Sequence, residues 1–268
     1  PQALFELASI EFRQGQYELA QSKFIRISQN HKDAKVAPEA SLMVGECFLA
    51  MNNLAEAEKA FQLTSSWVRN APEVQATALH KIGWIKFKNQ DYAGAIVQFD
   101  AVLSQYASTA IAENALFWKA EAHYKLSDFT KAYAHYQKFI DSYPQSERRA
   151  EAYYGLGYSA QELGRFTEAS QAFAKAAGQT ANTSVAVDAT IREADALFNA
   201  RAYARARSAY EKVLAQTGSN SLRAEAQYQI GMCHYRQEQF AAARTAFTLV
   251  HTNYPTTPFS SQALDISG

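Results

Sequence analysis

Small and large apolar residues recur along this chain with a long, regular period. In the stretch from Ala150 to Ala177, apolar residues at intervals of three and four predict two amphipathic helices with a break at Leu163-Gly164. Small residues such as Gly157 on the first helix and Ala169 on the second leave room for a neighbouring aromatic ring. The pattern therefore predicts a closely packed pair of antiparallel helices.

The same pair recurs from one end of the chain to the other. An alanine in the predicted second helix returns every 37 or 38 residues, at Ala20, Ala57, Ala95, Ala132, Ala169, Ala206 and Ala243. An aromatic residue follows each alanine by four, at Phe24, Phe61, Phe99, Tyr136, Phe173, Tyr210 and Phe247. A glycine or alanine precedes each by twelve, at Ala8, Gly45, Gly83, Ala120, Gly157, Ala194 and Gly231. A fixed period of this length is typical of a solenoid.

Proline positions support the same phase. All six lie at predicted boundaries between repeats, at Pro1, Pro38, Pro72, Pro144, Pro255 and Pro258, and proline is disfavoured inside a helix. We predict a single array over residues 1–268. Its repeats cover about 1–37, 38–75, 76–112, 113–149, 150–186, 187–223 and 224–260, with a partial eighth at 261–268.

These positions resemble the tetratricopeptide repeat (TPR). When Ala152 is counted as position 3, the small residue at 8, the aromatic at 17, the alanine at 20 and the aromatic at 24 agree with that family. The period of 37 exceeds the 34 residues usual in the family, and Tyr143-Pro144 and Tyr254-Pro255 lie in the extra length. The longer repeat looks like the bacterial cell-envelope branch, of the TolA-binding-protein and outer-membrane-assembly-lipoprotein type. The resemblance implies an all-α, right-handed superhelix of antiparallel helix pairs without a sheet.

Motifs for catalysis or cofactor binding are weak. Gly155-Leu-Gly-Tyr-Ser-Ala160 matches a loose dinucleotide fingerprint, but it lies inside a predicted helix instead of following a strand. The six histidines show no metal-ligand spacing. Basic and acidic residues balance at 26 each, which does not favour nucleic acid, and no apolar run reaches the roughly 20 residues of a membrane-spanning helix. We expect no enzyme activity, no cofactor, no metal and no direct membrane insertion.

A binding surface follows from the resemblance. In the TPR family, positions 2, 5, 9, 12 and 13 of the first helices face a concave groove. The candidates that this implies here are His80, Trp84, Phe117, Glu121, Tyr124, Tyr154, Tyr158 and Tyr228. Rings at position 12 are expected to be half-buried between repeats, so positions 5 and 9 are the better candidates for contacts.

The charges at these positions restrict the partner. Positions 5 and 9 hold no Lys, Arg or Asn in any repeat, and Glu46, Glu121 and Asp195 would repel a carboxylate. This argues against the acidic-tail recognition of chaperone-binding TPR proteins. We expect a peptide or protein partner that is apolar and carries a basic residue.

Three functions are compatible with the sequence. The first is a non-enzymatic interaction scaffold within a larger envelope protein, periplasmic or associated with the outer membrane. The second is a structural module that self-associates, and the third is a regulatory arm of an enzyme whose catalytic domain lies elsewhere in the parent protein. Ala263, Leu264 and Ile266 begin an eighth repeat without a second helix, in which Ala263 and Gly268 hold positions 3 and 8. Because solenoid ends need polar caps, we expect a fragment whose last helix is frayed or docked on a neighbouring molecule.

Overall fold

The computed structural model describes residues 1–181 and 183–267, and within them the chain forms fifteen α-helices and no strand. The helices are α1 (Gln2–Arg13), α2 (Tyr17–Asn30), α3 (Ala37–Ala50), α4 (Leu54–Trp67), α5 (Pro72–Lys88), α6 (Tyr92–Gln105), α7 (Ile111–Lys125), α8 (Phe129–Ser142), α9 (Arg149–Glu162), α10 (Phe166–Gln179), α11 (Thr183–Asn199), α12 (Tyr203–Gln216), α13 (Asn220–Arg236), α14 (Phe240–Asn253) and α15 (Pro258–Ser267). Odd-numbered helices are the first helices of the repeats and even-numbered ones the second. The predicted all-α array of helix pairs is confirmed.

The chain divides into two compact parts, the N-terminal half (Pro1–Asp128) and the C-terminal half (Phe129–Gly268). The N-terminal half contains α1 to α7, and each helix packs on the next, with further contacts of α5 on α3 and on α7. The C-terminal half contains α8 to α15, again packed in chain order. First helices of neighbouring repeats therefore approach one another directly within the N-terminal half.

The recurring small and aromatic residues form the core. All alanines at position 20 and all rings at position 24 are buried, with at most 2% of their surface exposed. The glycines at position 8 lie against the ring of their own repeat: a Cβ added to Gly83 would lie 2.6 Å from Cε1 of Phe99, and one added to Gly157 would lie 2.7 Å from Cε1 of Phe173. Because such distances are sterically forbidden, this packing explains glycine inside a helix despite its conformational cost.

The turn inside each repeat has a common geometry. Three residues join the first helix to the second, and one of them has a positive φ: Gly15, Asn52, Gln90, Ser127, Gly164, Arg201 and Glu238. In the sixth repeat, the amide of Ala202 donates to the carbonyl of Leu197 and that of Arg201 to Phe198, both at 2.9 Å. This is the Schellman pattern that ends a helix with one left-handed residue.

Replacing Arg201 with glycine should stabilise the chain. A left-handed backbone costs a residue with a Cβ roughly 1–2 kcal/mol, while glycine loses about 0.5–1 kcal/mol through its greater freedom when unfolded. We expect the free energy of unfolding of Arg201→Gly to rise by up to about 1 kcal/mol in urea denaturation. Gly164→Ala is the matched reverse change, because Gly164 has a φ of +71° and a Cβ added there would meet only open space, and it should lose stability. Destabilisation by Arg201→Gly would contradict this interpretation of the turns.

Several first helices begin earlier than the predicted repeat boundaries. The helices α5, α11 and α13 start at residues 72, 183 and 220, about one turn before 76, 187 and 224. Pro72 is suited to a first helical position because its missing amide hydrogen is not needed there. At α13, the hydroxyl of Ser219 accepts from the amide of Leu222 at 3.5 Å and caps the added turn.

The last helix packs on its own chain and is not frayed over its described residues. Over its described residues, α15 is a formed helix that packs on α14 and α13 of the same chain. Ala263 is fully buried in the cluster of Phe247 and Val250, as Ala115 is against Phe99 in an earlier repeat. Position 3 of the eighth repeat thus retains the packing role it has elsewhere, and this contact orders the helix. Gly268, predicted at position 8, lies outside the described residues.

Candidate functional site

The first helices of the N-terminal half enclose an aromatic pocket. A cavity of about 310 Å³ lies between α3, α5 and α7, and its wall consists of Leu49, His80, Lys81, Trp84, Ile111, Asn114 and Trp118. The indole of Trp118 is held edge-on by Phe87, with ring centroids 5.0 Å apart. We call this cavity the tryptophan pocket. Its two indoles and two aliphatic side chains suit an apolar side chain of a partner.

Charges around the tryptophan pocket are engaged within the chain. The ammonium of Lys81 lies 2.8 Å from a carboxylate oxygen of Glu46 on α3. Lys88 lies over the ring of Trp84, 5.3 Å from its centroid. Such pairs hold the long side chains against their neighbours, so the wall presents mainly apolar and aromatic surface.

The predicted residues of this half have different positions. Trp84 is half-buried and lines the pocket, whereas His80 and Phe117 are only 7% and 3% exposed. The ring of His80 packs 5.7 Å from that of Phe99 in the core, although one edge reaches the pocket. Little surface of these two side chains is exposed, and direct contact of His80 and Phe117 with a partner stays a prediction. Glu121 and Tyr124 are half-buried further along α7.

The first helices of the C-terminal half enclose a more polar pocket. A cavity of about 400 Å³ lies between α9, α11 and α13, with one residue from α12. Its wall consists of Tyr158, Gln161, Arg192, Asp195, Phe198, Asn199, Tyr210, Glu225 and Gln229. We call this cavity the carboxylate pocket. It combines aromatic rings with opposite charges and several amides, so it suits a polar side chain.

Asp195 is the best-anchored charge in the carboxylate pocket. The hydroxyl of the core residue Tyr210 donates to Oδ1 of Asp195 at 2.6 Å, and Arg192 lies 3.6 Å from Oδ2. Burial raises the pKa of Asp195, and these two contacts act in the opposite direction. Burial also raises the pKa of Glu225, and the negative charge of Asp195 raises it further. Both carboxylates would therefore gain from a nearby cation.

The three predicted tyrosines of this half differ in their surroundings. Tyr158 lines the carboxylate pocket and stacks on Tyr154, with centroids 6.2 Å apart. The hydroxyl of Tyr154 donates to the carbonyl of Val185 at 2.8 Å and to Asp188 at 3.2 Å, which ties α9 to α11. Tyr228 is half-buried beside Phe247 and the Phe259 ring of α15. Of the three, Tyr158 lines the carboxylate pocket.

Several pocket residues were not among the sequence candidates. Lys81, Trp118 and Arg192 hold position 6 of their repeats, and Asn114 and Glu225 hold position 2. Position 2 belongs to the groove set of the family, but no residue there was selected. Position 6 is adjacent to position 5 and lies between neighbouring first helices. Its place in a pocket wall depends on the distance between these helices, which the sequence does not give.

The described residues were compared with the features of metal sites, membrane spans and reactive thiols. No cluster of three or more potential ligands there could hold a metal ion. No helix in the described ranges is both long and apolar enough to cross a membrane. The thiols of Cys47 and Cys233 are buried, and burial raises the pKa of each to about 12, which disfavours the reactive thiolate. The segment Gly155–Ala160 lies within α9, where Gly157 meets Phe173.

Comparisons with known proteins establish the class. The TPR family profile matches residues 2–68. The C-terminal part of a TPR repeat-containing protein from Cytophaga hutchinsonii aligns over 98% of this chain and 99% of its own, with a TM-score of 0.72 at 18% identity. A tetratricopeptide repeat protein from Parabacteroides merdae aligns over 99% and 98%, with a TM-score of 0.58 at 15% identity. The chain is thus a TPR protein.

A second family profile matches a longer part of the chain. The profile of the YfiO family, described as outer membrane lipoproteins, matches residues 72–266, and the chain belongs to this family. It is also similar to the outer membrane protein assembly factor BamD of Pasteurella multocida (strain Pm70), with 30% identity over 97 residues. That match covers 36% of each protein. Members of the TPR and YfiO families are generally non-enzymatic scaffolds for protein–protein interaction.

Proposed function

We propose that this chain is a non-enzymatic interaction scaffold, part of a larger outer-membrane-associated protein, that binds a segment of a protein partner along its first helices. Membership of the YfiO family supports the location and the scaffold role. The similarity to an outer membrane protein assembly factor makes proteins of outer-membrane assembly the first class of partner to test.

The observation that carries this proposal is the position of the two pockets. Each lies between first helices of neighbouring repeats, and each contains a predicted groove residue, Trp84 in one and Tyr158 in the other. Concave sites with aromatic walls and a few placed polar groups are typical of binding sites. This supports the first helices as the binding surface.

The pockets also support a particular partner chemistry. The indoles of Trp84 and Trp118 suit an aromatic or aliphatic anchor, the kind of residue that contributes most to protein interfaces. Asp195 and Glu225 suit a basic side chain and would repel an acidic one. A partner segment with apolar residues and a basic residue fits both halves, whereas an acidic tail does not fit the C-terminal half.

Hydrogen–deuterium exchange of the complex tests the proposal. The immobilised chain would first capture a partner from solubilised cell envelope, and amide exchange would then be compared with and without that partner. We expect slower exchange in first helices, including α5, α7, α9 and α11. Protection confined to second helices, or complexes that contain only further copies of the chain, would favour the self-assembly function instead.

A further inference from the structure

The carboxylate pocket has an excess of negative charge that a cation of a partner could compensate. Three carboxylates lie in or beside it, on Asp188, Asp195 and Glu225. Among the described residues, Arg192 supplies a cation to this group, 3.4 Å from Asp188 and 3.6 Å from Asp195. Buried or half-buried carboxylates are stable as ions only when cations or hydrogen-bond donors compensate them. One guanidinium does not balance three carboxylates.

The rest of the wall favours a planar cation. The rings of Tyr158 and Phe198 line the same cavity, and aromatic faces attract guanidinium groups more often than ammonium groups. The amides of Gln161, Asn199 and Gln229 offer further hydrogen bonds. Tyr210 fixes Oδ1 of Asp195 by a hydrogen bond of 2.6 Å, so this acceptor is oriented before any ligand arrives. The cavity of about 400 Å³ exceeds the volume of one side chain.

We propose that the carboxylate pocket binds an arginine side chain of the partner segment through Asp195 and Glu225. Arginine presents several donors in a rigid plane that two carboxylates can share, and it stacks on aromatic rings, whereas lysine is a flexible point charge. This inference rests on the proposed function and assigns the basic residue of the partner to one site in the C-terminal half.

A titration with a single amino-acid derivative tests the pocket without a partner. N-acetyl-arginine methylamide would be added to the full isotope-labelled chain, and amide chemical shifts would be followed by NMR. The neutral isostere N-acetyl-citrulline methylamide is the control for shape, and the lysine derivative is the control for charge alone. We expect saturable shifts around residues 192–199 and 225–229, with affinity for arginine at least about tenfold above that for citrulline and above that for lysine.

Variants distinguish binding in the carboxylate pocket from binding elsewhere on the surface. In the double variant Asp195→Asn, Glu225→Gln, the asparagine oxygen still accepts from Tyr210, so the fold should persist while the preference for arginine over citrulline disappears. Glu211→Gln removes an exposed carboxylate on α12 and should leave that preference unchanged. Glu225→Lys leaves two carboxylates and two cations in or beside the pocket, so it should also abolish the preference for arginine over citrulline.

Two results would overturn the inference. One is equal binding of the arginine and citrulline derivatives, or shifts that lie away from the pocket. The other is an unchanged preference for arginine in the double variant, with the helical circular dichroism signal intact. Neither result affects the exchange protection expected from a partner in the N-terminal half, so the pocket assignment can fail while the scaffold function stands.

Discussion

Truncation of Trp84 to alanine is expected to weaken partner binding by about 30-fold, or about 2 kcal/mol. Trp84 is half-buried in the wall of the tryptophan pocket, which it shares with Trp118. Removing the indole eliminates most of one apolar wall, and aromatic anchors in such pockets contribute most to interface affinity. The dissociation constant of the captured partner, measured by calorimetry with chain and variant, checks the prediction.

A matched truncation on a second helix is the control. Trp67→Ala removes an indole of α4 that is also half-buried, and whose Nε1 donates to Ser41 at 3.2 Å. Trp84 also packs against the core cluster of Phe61 and Ile82, so both variants should lose some thermal stability. At temperatures where both variants are folded, only Trp84→Ala should lose affinity for the partner. An affinity of Trp84→Ala equal to that of the parent chain would exclude the tryptophan pocket from binding.

Replacement of Ala169 with leucine should reduce the free energy of unfolding by about 1–3 kcal/mol. Ala169 on α10 is fully buried among Ala160, Phe173 and Ala196, between α9 and α11. Short side chains allow these helices to approach, so three added carbon atoms must displace a ring or separate the helices. Urea denaturation monitored by circular dichroism in the far ultraviolet is the measurement.

Ala174→Leu provides the comparison for this change. Ala174 lies on the same helix but is exposed, so the same added volume extends into solvent and should change stability by less than about 0.5 kcal/mol. If Ala169→Leu unfolds at the same urea concentration as the parent chain, the assignment of position 20 as the helix contact is wrong.

The repeat phase could be predicted from the sequence because steric constraints recur. Two helices can pack closely only if the residues at Gly157 and Ala169 are small and the residue at Phe173 is a flat ring. The same three types of residue return at these positions in every repeat. The left-handed turn residues could not be predicted in the same way. Glycine holds that position only at Gly15 and Gly164, and elsewhere the hydrogen bonds of the turn impose the conformation on other residue types.

The candidate site was predictable in outline only. The family positions predicted a binding surface on the first helices, and Trp84 and Tyr158 line pockets there. Whether a ring is available depends on its neighbours: Phe117 is covered, and Tyr228 packs beside Phe259 of a helix that was expected to be frayed. Arg192 on α11 and Glu225 on α13 line the same cavity although they are 33 residues apart in sequence, and no local pattern indicates this. Fraying was expected of the last helix, whereas Ala263 is buried in the cluster of Phe247 and Val250.

Site-specific photo-crosslinking tests most directly whether the first helices bind the partner. A benzoylphenylalanine would replace Asn114 or Gln161, which line the two pockets, and, for comparison, Val97 or Ala174, which are exposed on second helices. The scaffold proposal predicts crosslinks to the envelope partner from positions 114 and 161 and none from 97 and 174. Crosslinks from 97 and 174 alone would contradict it.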